Sequence, residues 1–524
     1  METIKLVFNS NKYSILLIFF TKIIFLLNYY FVDDAYIIFR TAYNFGNFGE
    51  YSYNIGENFS GITSWLYGLW VSFNSLLFKD NFIFMVTVIN TILSLLSSIL
   101  IYRIFLDIGN YNNNSNKLPF LLIIFLNPTI CSVSTIGLET SFLIFFTSLF
   151  FFCFYFSKNN LILFFAGIFI ILTRIEFFSL ILVFIFVSMF KKEKNLIILF
   201  SILTFGILFN FSGNYLINGY FLPETAVSKL HTITPSDNFN LSQILGRFSK
   251  LLLFDQSYFL GFKSKFFPTY FNALTSLLFL YVISKILFKN FKLILNLKKI
   301  SHKESLLFAI SISVIGIPAA YIISGQIWDW YFMPLSFFSY FILSCFLYKF
   351  VKNFIIEKLL LIIFLFLVST NFLIKYNVSF QEHQYRSSVG KLIKSISKKS
   401  DTLFLEPAGF IPFYAQIRTI DTVGLSSKTI RKYRTNDNED WWFDYVKAEK
   451  PDFIVDRKNI LDGTSKDGYL QFSPNQSVWI NKNYELVDEF IYQEFLNNFN
   501  FKNKLKKFII NLGSHSDYYV FKKI

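Results

Sequence analysis

The chain is poor in the residues that mark most other classes of protein. Its 3 cysteines, Cys131, Cys153 and Cys345, all lie inside apolar runs. They form neither a disulfide framework nor a zinc spacing, and they leave the redox compartment unread. The 4 histidines, His231, His302, His383 and His515, are scattered, which argues against a histidine-rich metal site. Charged residues make up only 16% of the chain. No motif of interleaved aromatic and basic residues stands out, so nucleic acid is set aside as a partner. No internal repeat is visible either, and no long low-complexity linker, although Asn112-Asn113-Asn114-Ser115-Asn116 is plainly a loop.

What is abundant is apolar surface. Hydrophobic residues account for 54% of the 524 positions, Phe alone contributes 72, and mean hydropathy is +0.47. A soluble protein of this size does not need apolar runs of about 20 residues, the length that crosses a bilayer's hydrocarbon core. Such runs fall near 13–32, 62–78, 81–105, 118–135, 138–157, 160–173, 175–190, 196–212, 268–288, 304–324, 331–350 and 354–373. The first follows Lys5 and Lys12 and lacks a small-residue cleavage site, so it reads as a retained signal-anchor. The expectation is a multi-pass protein of the inner cell membrane, with the lipid bilayer as its first partner.

Charge orients the chain. The formal net charge is +15, and the basic clusters sit between apolar runs, where cytoplasmic loops carry Lys and Arg. They are Lys191, Lys192 and Lys194, then Lys285 through Lys303, then Lys349 and Lys352. Crossing at every run would put these clusters outside. Demoting 62–78 to an interfacial segment puts them inside. That run is interrupted by Ser64, Gly68, Ser72 and Asn74 and carries Trp65, Tyr67 and Trp70, which favour the interface. About eleven spans remain. The outward segments are then 33–80, Gly137–Thr140, Thr173–Glu176, 213–267, Gly325–Trp330 and everything after about Lys375. They carry the unusual polar residues, while the inward ones carry mostly plain positive charge.

Two domains follow from this threading. Residues 1–375 form the transmembrane module, with a first external loop at 33–80 and a second at 213–267. Residues 376–524 change character. Thr402-Leu403-Phe404-Leu405 and Asp452-Phe453-Ile454-Val455 read as short buried strands, with helical stretches around 382–397 and 439–449. The expectation is a small α/β domain on the extracytoplasmic side. The fold class is therefore an α-helical polytopic membrane protein with a C-terminal α/β domain.

Asp33-Asp34, directly after the first span, is the strongest chemical signal. Adjacent carboxylates repel, so something should reward them. If 34–45 is helical, Asp33 can cap its N-terminus and gain from the macrodipole. On that helix Asp33, Tyr36, Arg40 and Asn44 share one stripe, while Asp34, Ile38, Ala42 and Phe45 tend toward another. A cap with a solvated charge pair and a working carboxylate near the membrane surface are both open on these residues alone.

The stretch Asp33-Asp34-Ala35-Tyr36-Ile37-Ile38-Phe39-Arg40 is followed by Asn44, Gly49, Asn54-Ile55-Gly56-Glu57 and Gly61-Ile62-Thr63-Ser64-Trp65. It resembles the first external loop of GT-C-type glycosyltransferases, within a branch that includes the terminal arabinofuranosyltransferases of mycobacterial cell walls. Gly137-Leu138-Glu139-Thr140 is similar to that family's Gly-Leu/Met-Glu-Thr segment. Thr173-Arg174-Ile175-Glu176 resembles its Arg-Pro-Glu segment, with Ile175 in place of proline. Leu222-Pro223-Glu224-Thr225 with Lys229 resembles its Leu-Pro-Asn-Thr and Lys, with Glu224 in place of Asn. Trp328-Asp329-Trp330-Tyr331, running on to Pro334, resembles its last external loop without the usual basic residue. In the tail, Glu406-Pro407-Ala408-Gly409, Asp421-Thr422-Val423-Gly424-Leu425 and Pro451-Asp452 are similar to its outer-domain elements.

The resemblance implies a GT-C fold and inverting transfer of a hexosyl or pentosyl group. The donor would be a polyprenyl-phosphate sugar and the acceptor an extracytoplasmic envelope glycan, lipid or protein. It implies an external-loop Asp as base, since the acceptor hydroxyl needs a base within hydrogen-bond reach. The phosphate leaving group needs cationic donors rather than an acid. The expected catalytic pair is Asp33 as base and Asp34 as second carboxylate. The expected substrate-binding residues are Arg40, Asn44, Glu57, Glu139, Arg174, Glu176, Glu224 and Lys229, with Arg174 and Lys229 on phosphate and Arg40 holding Asp33. Asp33, Asp34, Glu139, Arg174 and Lys229 are expected to converge in one outward-facing cavity. Plainer readings stand beside these. Arg174 and Glu176 also read as a structural pair at a span end, Glu139 as a helix cap, Lys229 as a solvated loop lysine, and the tryptophans near 328 as an interfacial belt. A divalent cation on Asp33, Asp34 and Glu139 is chemically reasonable, but no metal is assigned. The rival function is a transporter, flippase or polymer-handling protein of envelope assembly without bond-forming chemistry. It fits less well, because a transporter calls for repeats and midplane charges, whereas the polar clusters here sit at outer ends.

Overall fold

A computed structural model describes residues 12–27, 31–109, 118–157, 159–191, 195–223, 225–226, 301–323, 329–350, 381–434, 438–465, 470–499 and 516–524, with isolated positions between 281 and 372. The expected spans near 268–288 and 354–373 lie outside the described residues. The chain divides into two compact units: 1–29, 87–211 and 239–374 in the first, and 30–86, 212–238 and 375–524 in the second. The segment 30–86 thus groups with the tail.

The helices of the membrane region are α1 (Lys12–Leu27), α2 (Asp33–Phe48), α3 (Trp65–Phe78), α4 (Phe82–Gly109), α5 (Leu118–Leu126), α6 (Pro128–Val133), α7 (Thr140–Tyr155), α8 (Asn160–Thr173), α9 (Phe178–Lys191), α10 (Leu196–Asn218), α11 (His302–Ile323) and α12 (Asp329–Phe350). Four described helical stretches, 65–109, 196–218, 302–321 and 331–348, are long and apolar enough to cross a membrane, and several shorter apolar helices accompany them. The chain is a polytopic, mostly helical membrane protein. The 65–109 stretch breaks at a 3₁₀ turn over Lys79–Asn81. Its first part, α3, has 14 residues, about 21 Å at 1.5 Å each, against a hydrocarbon core of about 30 Å.

Local chemistry sets the breaks between helices. Asn127 caps α6 by accepting from Ile130 N at 2.8 Å, and Pro128 occupies the first turn, where its missing N–H costs nothing. The expected run 118–135 is therefore two short helices. Between α8 and α9, Arg174 is extended at φ −146. Asn210 Nδ2 donates 2.9 Å to the Ile171 carbonyl, satisfying an acceptor that the end of α8 leaves open. Lys22, buried within α1, donates to Ser94 Oγ at 3.2 Å and to the Ile130 carbonyl at 2.6 Å. Ionisable groups at membrane depth are found in such paired settings.

The tail is built on strands β1 (Thr402–Leu405), β2 (Arg418–Asp421), β3 (Phe453–Asp456), β4 (Tyr484–Phe490) and β5 (Tyr518–Lys523). Their order in the sheet is β2-β1-β3-β5-β4. β1 runs parallel to β2 and β3, and β5 runs antiparallel to β3 and β4. Side chains alternate between two cores. Leu403, Leu405, Phe453, Val455 and Val520 face one, while Phe404, Ile454 and Phe521 face the other. A sheet covered on both faces needs nearly continuous apolar strands, and β3 is buried at all four positions. Helix α13 (Ser387–Ile396) supplies Val389 and Ile393 to the first core, and α14 (Phe410–Ala415) supplies Ile411 and Ala415. Helix α15 (Trp441–Glu449) supplies Trp442 and Val446 to the second.

Candidate functional site

In the second unit, α2 begins at Asp33, and Val32 precedes it without a side-chain cap. The expected self-capping by Asp33 is corrected: its carboxylate caps a different helix. Asp33 Oδ2 accepts from Gly409 N at 2.9 Å and Oδ1 from Phe410 N at 3.0 Å, at the start of α14. Arg386 Nη1 lies 3.3 Å from the same Oδ1. Approach this close needs a glycine, because a Cβ on Gly409 would stand 2.0 Å from the Asp33 carbonyl oxygen. Asp34 is half-buried.

Arg40 does not hold Asp33, as the sequence suggested. Its guanidinium turns to the tail and to its own loop. Nε donates to the Tyr53 carbonyl at 2.9 Å. Nη1 donates to the Pro412 carbonyl at 2.7 Å and to Thr419 Oγ1 at 3.3 Å. Nη2 donates to Asn54 Oδ1 at 3.1 Å and to the Ile417 carbonyl at 2.6 Å. All five donors of an arginine are thereby engaged, and the residue is 7% exposed. The group also lies 4.5 Å from the centre of the Tyr53 ring, a cation–π contact.

The other loop motifs turn the same way. Asn44 Nδ2 donates to the Ser52 and Tyr53 carbonyls at 2.9 and 3.0 Å. Asn54 Nδ2 donates to the Thr419 carbonyl at 2.8 Å, and its Oδ1 accepts from Thr419 N at 2.9 Å. Glu57 pairs with Arg418 at 2.7 Å. Gly61 has φ +67, and a Cβ there would meet the Leu425 carbonyl oxygen at 2.2 Å. Leu425 belongs to a turn that Asp421 organises by accepting from Val423 N, Leu425 N, Ser426 N and Ser426 Oγ at 2.6–3.1 Å. Burial pushes the Asp421 carboxyl up, and the donors around it oppose the shift.

Two residues here carried no sequence signal. Arg386 ends a π-helical turn over Gln381–Arg386 and also bonds Tyr518 Oη at 2.9 Å. His383, in the same turn, packs among Phe31, Tyr36 and Phe410, with ring centres 5.1–6.1 Å away. Burial lowers its pKa to about 4. A turn that winds two residues inward from a polar string, Gln-Glu-His-Gln-Tyr-Arg, has no periodic marker.

In the first unit a second group forms where α8 breaks. Arg174 donates from Nη1 to Glu139 Oε1 and from Nε to Glu176 Oε1, each at 2.8 Å. Its Nη2 lies 2.6 Å from Glu176 Oε1. Tyr321 Oη donates to Glu176 Oε1 at 2.7 Å, and the guanidinium lies 4.2 Å from the centre of the Tyr331 ring. Glu139 stands at the head of α7 without capping it through its side chain. Thr140, Leu143, Phe177 and Pro334 complete a small cleft with these residues. Both carboxylates are bonded through Oε1, so the second oxygen of each keeps acceptor capacity. Tyr321 could not have been picked from the sequence, since it stands in an unbroken apolar helix.

Glu224 and Lys229 lie outside the described residues, as does most of 213–267. Among the described residues no three His, Cys, Asp or Glu side chains gather closely enough to hold a metal ion.

A family model for a domain of unknown function, DUF8728, matches residues 374–520, the tail. No curated protein matches the sequence. In three dimensions the chain resembles the archaeal oligosaccharyltransferase AglB from Archaeoglobus fulgidus, solved with an inhibitory peptide and a dolichol-phosphate. The TM-score is 0.53 at 9% identity, covering 98% of this chain and 89% of that one. The same enzyme in the apo form gives 0.52 at 9% identity, with the same coverage. The chain has the GT-C fold. At this identity the likeness extends to the architecture of membrane helices and C-terminal domain, and a fold alone does not assign a reaction.

Proposed function

We propose that the protein is a membrane glycosyltransferase that moves a sugar from a polyprenyl-phosphate donor to an extracytoplasmic envelope glycan, lipid or protein, with inversion. The observation that carries the reading is the carboxylate pair at the start of α2. It opens the loop after the first span in a chain whose overall fold resembles an enzyme solved with a dolichol-phosphate, and Asp34 stands beside an Asp33 held by three donors. A carboxylate offers about four lone-pair sites, and three at Asp33 are taken. Asp33 therefore positions the pair against the tail, and Asp34 takes the proton of the attacking hydroxyl. This division refines the expectation that Asp33 is the base.

The Glu139–Arg174–Glu176 group contributes sugar recognition. Two carboxylates on one guanidinium leave it net negative, which suits neutral hydroxyl donors better than a bare phosphate. The free acceptor oxygens of Glu139 and Glu176 would receive hydroxyls, and the expected cation for the phosphate is Lys229. Arg40 and Asn44 support the loop rather than bind substrate.

The test is transfer from a panel of polyprenyl-phosphate sugars to membrane extract. Asp34→Asn should insert and fold normally yet lose about 10²- to 10⁴-fold in rate, the usual contribution of a positioned base. A panel that yields no transfer with the wild-type protein, alongside substrate movement across vesicles, would favour the transporter reading.

A further inference from the structure

The tail reaches the carboxylate pair through two helices packed almost backbone to backbone. Arg386 ends the π-helical turn, and α13 continues from it at Ser387. One turn further along stands Gly390. A Cβ there would lie 2.5 Å from the Ile411 carbonyl oxygen and 2.8 Å from Tyr414 Cβ, so only glycine lets α13 approach α14 this closely. The head of α14 is where Gly409 N and Phe410 N hold Asp33. The packing that joins the two helices therefore also delivers the Arg386 guanidinium to Asp33 Oδ1, at 3.3 Å.

The guanidinium is aimed from behind as well. Its Nε donates to Tyr518 Oη at 2.9 Å. Tyr518 opens β5 and is buried in the first core with Val389 and Ile393. Arg386 is itself buried. A buried cation costs desolvation that packing alone does not offset, and π-helical turns are frequent at functional sites. The two backbone N–H groups already fasten Asp33 to the head of α14. What they lack is a full positive charge. Asp34 is the next residue of the chain, and adjacent carboxylates disfavour each other's ionised form. A cation on Asp33 offsets that repulsion, and it does so strongly where water is scarce.

We infer that Arg386 is a positioning residue for transfer: its charge, aimed by Tyr518, offsets the repulsion between Asp33 and Asp34 and keeps Asp34 ready to accept a proton. The tail then takes part in the chemical step and does more than dock. The inference rests on Asp34 being the base, as proposed above.

The test measures kcat and KM of the full chain with the most active polyprenyl-phosphate sugar of the panel, following protease resistance of the tail in parallel. Arg386→Gln should lower kcat about 10- to 100-fold, the range of a hydrogen bond to a charged group, and leave KM for the donor unchanged. Arg386→Lys keeps the charge and should recover most of kcat. Tyr518→Phe keeps the charge without its aim and should cost less than Arg386→Gln. Once Asp33 is neutral there is no repulsion to offset, so adding Arg386→Gln to Asp33→Asn should change kcat by less than about twofold. Wild-type kcat in Arg386→Gln overturns the inference. So does an Arg386→Lys variant as slow as Arg386→Gln, or a full further loss in the double variant, since either would make the residue's role independent of its charge on Asp33. Asp34→Asn at the wild-type rate would instead remove the reading beneath it, whatever Arg386 does.

Discussion

The loop at residues 33–64 and the break between α8 and α9 both carry charged motifs, and they spend their polar capacity in opposite ways. In the loop, Arg40 uses every donor, Asp33 accepts three, and Asn54 bonds both edges of Thr419. These side chains hold the tail domain. At the helix break, Glu139 and Glu176 are bonded through one oxygen each and line a cleft. Residues of the same chemical type are bonded to the tail in one region and keep an open acceptor oxygen in the other. The hydrogen-bond account separates them, whereas a motif does not.

The comparison breaks if Arg40 proves dispensable for folding. Arg40→Met leaves the Tyr53, Pro412 and Ile417 carbonyls buried without a donor, each worth about 1–3 kcal/mol. The expected loss is about 4 kcal/mol, read as a lowered unfolding temperature and rapid proteolysis of the tail. A variant that melts with the wild type would return Arg40 to the substrate.

A smaller effect comes from His383. Its pKa is about 4 when folded, through burial, and near 6.5 when unfolded. Between those values the unfolded chain binds more protons, so stability is full above about pH 6.5 and declines as pH falls toward 4. The shift corresponds to about 3 kcal/mol for this residue. Denaturation across that range should show the slope in the wild type and a shallower one in His383→Phe, which keeps the ring contacts with Phe31, Tyr36 and Phe410.

On the other side of the comparison, Glu139→Gln should barely move the melting temperature, because Arg174 keeps Glu176. It should lower kcat/KM about tenfold, the worth of one hydrogen bond to a charged acceptor. A stability loss with unchanged kinetics would make this group scaffold too. The smallest expected effect is at Glu57. Its pair with Arg418 is partly exposed, at 22% and 44%, and Glu57→Gln should cost below about 1 kcal/mol in stability and leave transfer unchanged.

Much of the architecture was legible because it rests on length and pattern. Apolar runs give the helices, and alternation gave β1 and β3, with their inner residues divided between two cores. Strand β4 was not legible, since its burial is irregular along Tyr484–Phe490. The end of the run at 118–135 was missed because Asn127-Pro128 starts a new helix inside apolar sequence. For the candidate site, the Glu139, Arg174 and Glu176 motifs do meet. The roles of Asp33 and Arg40 were not legible, because their partners stand more than 350 positions away. No local spacing encodes such a contact.

The most direct test of this division compares Asp33→Asn with Asp34→Asn in one membrane preparation, measuring sugar transfer and the protease resistance of the tail together. The expected result is that Asp34→Asn lowers transfer by about 10²- to 10⁴-fold with the tail intact, while Asp33→Asn loosens the tail and retains a larger fraction of transfer. Transfer at the wild-type rate by Asp34→Asn would contradict it.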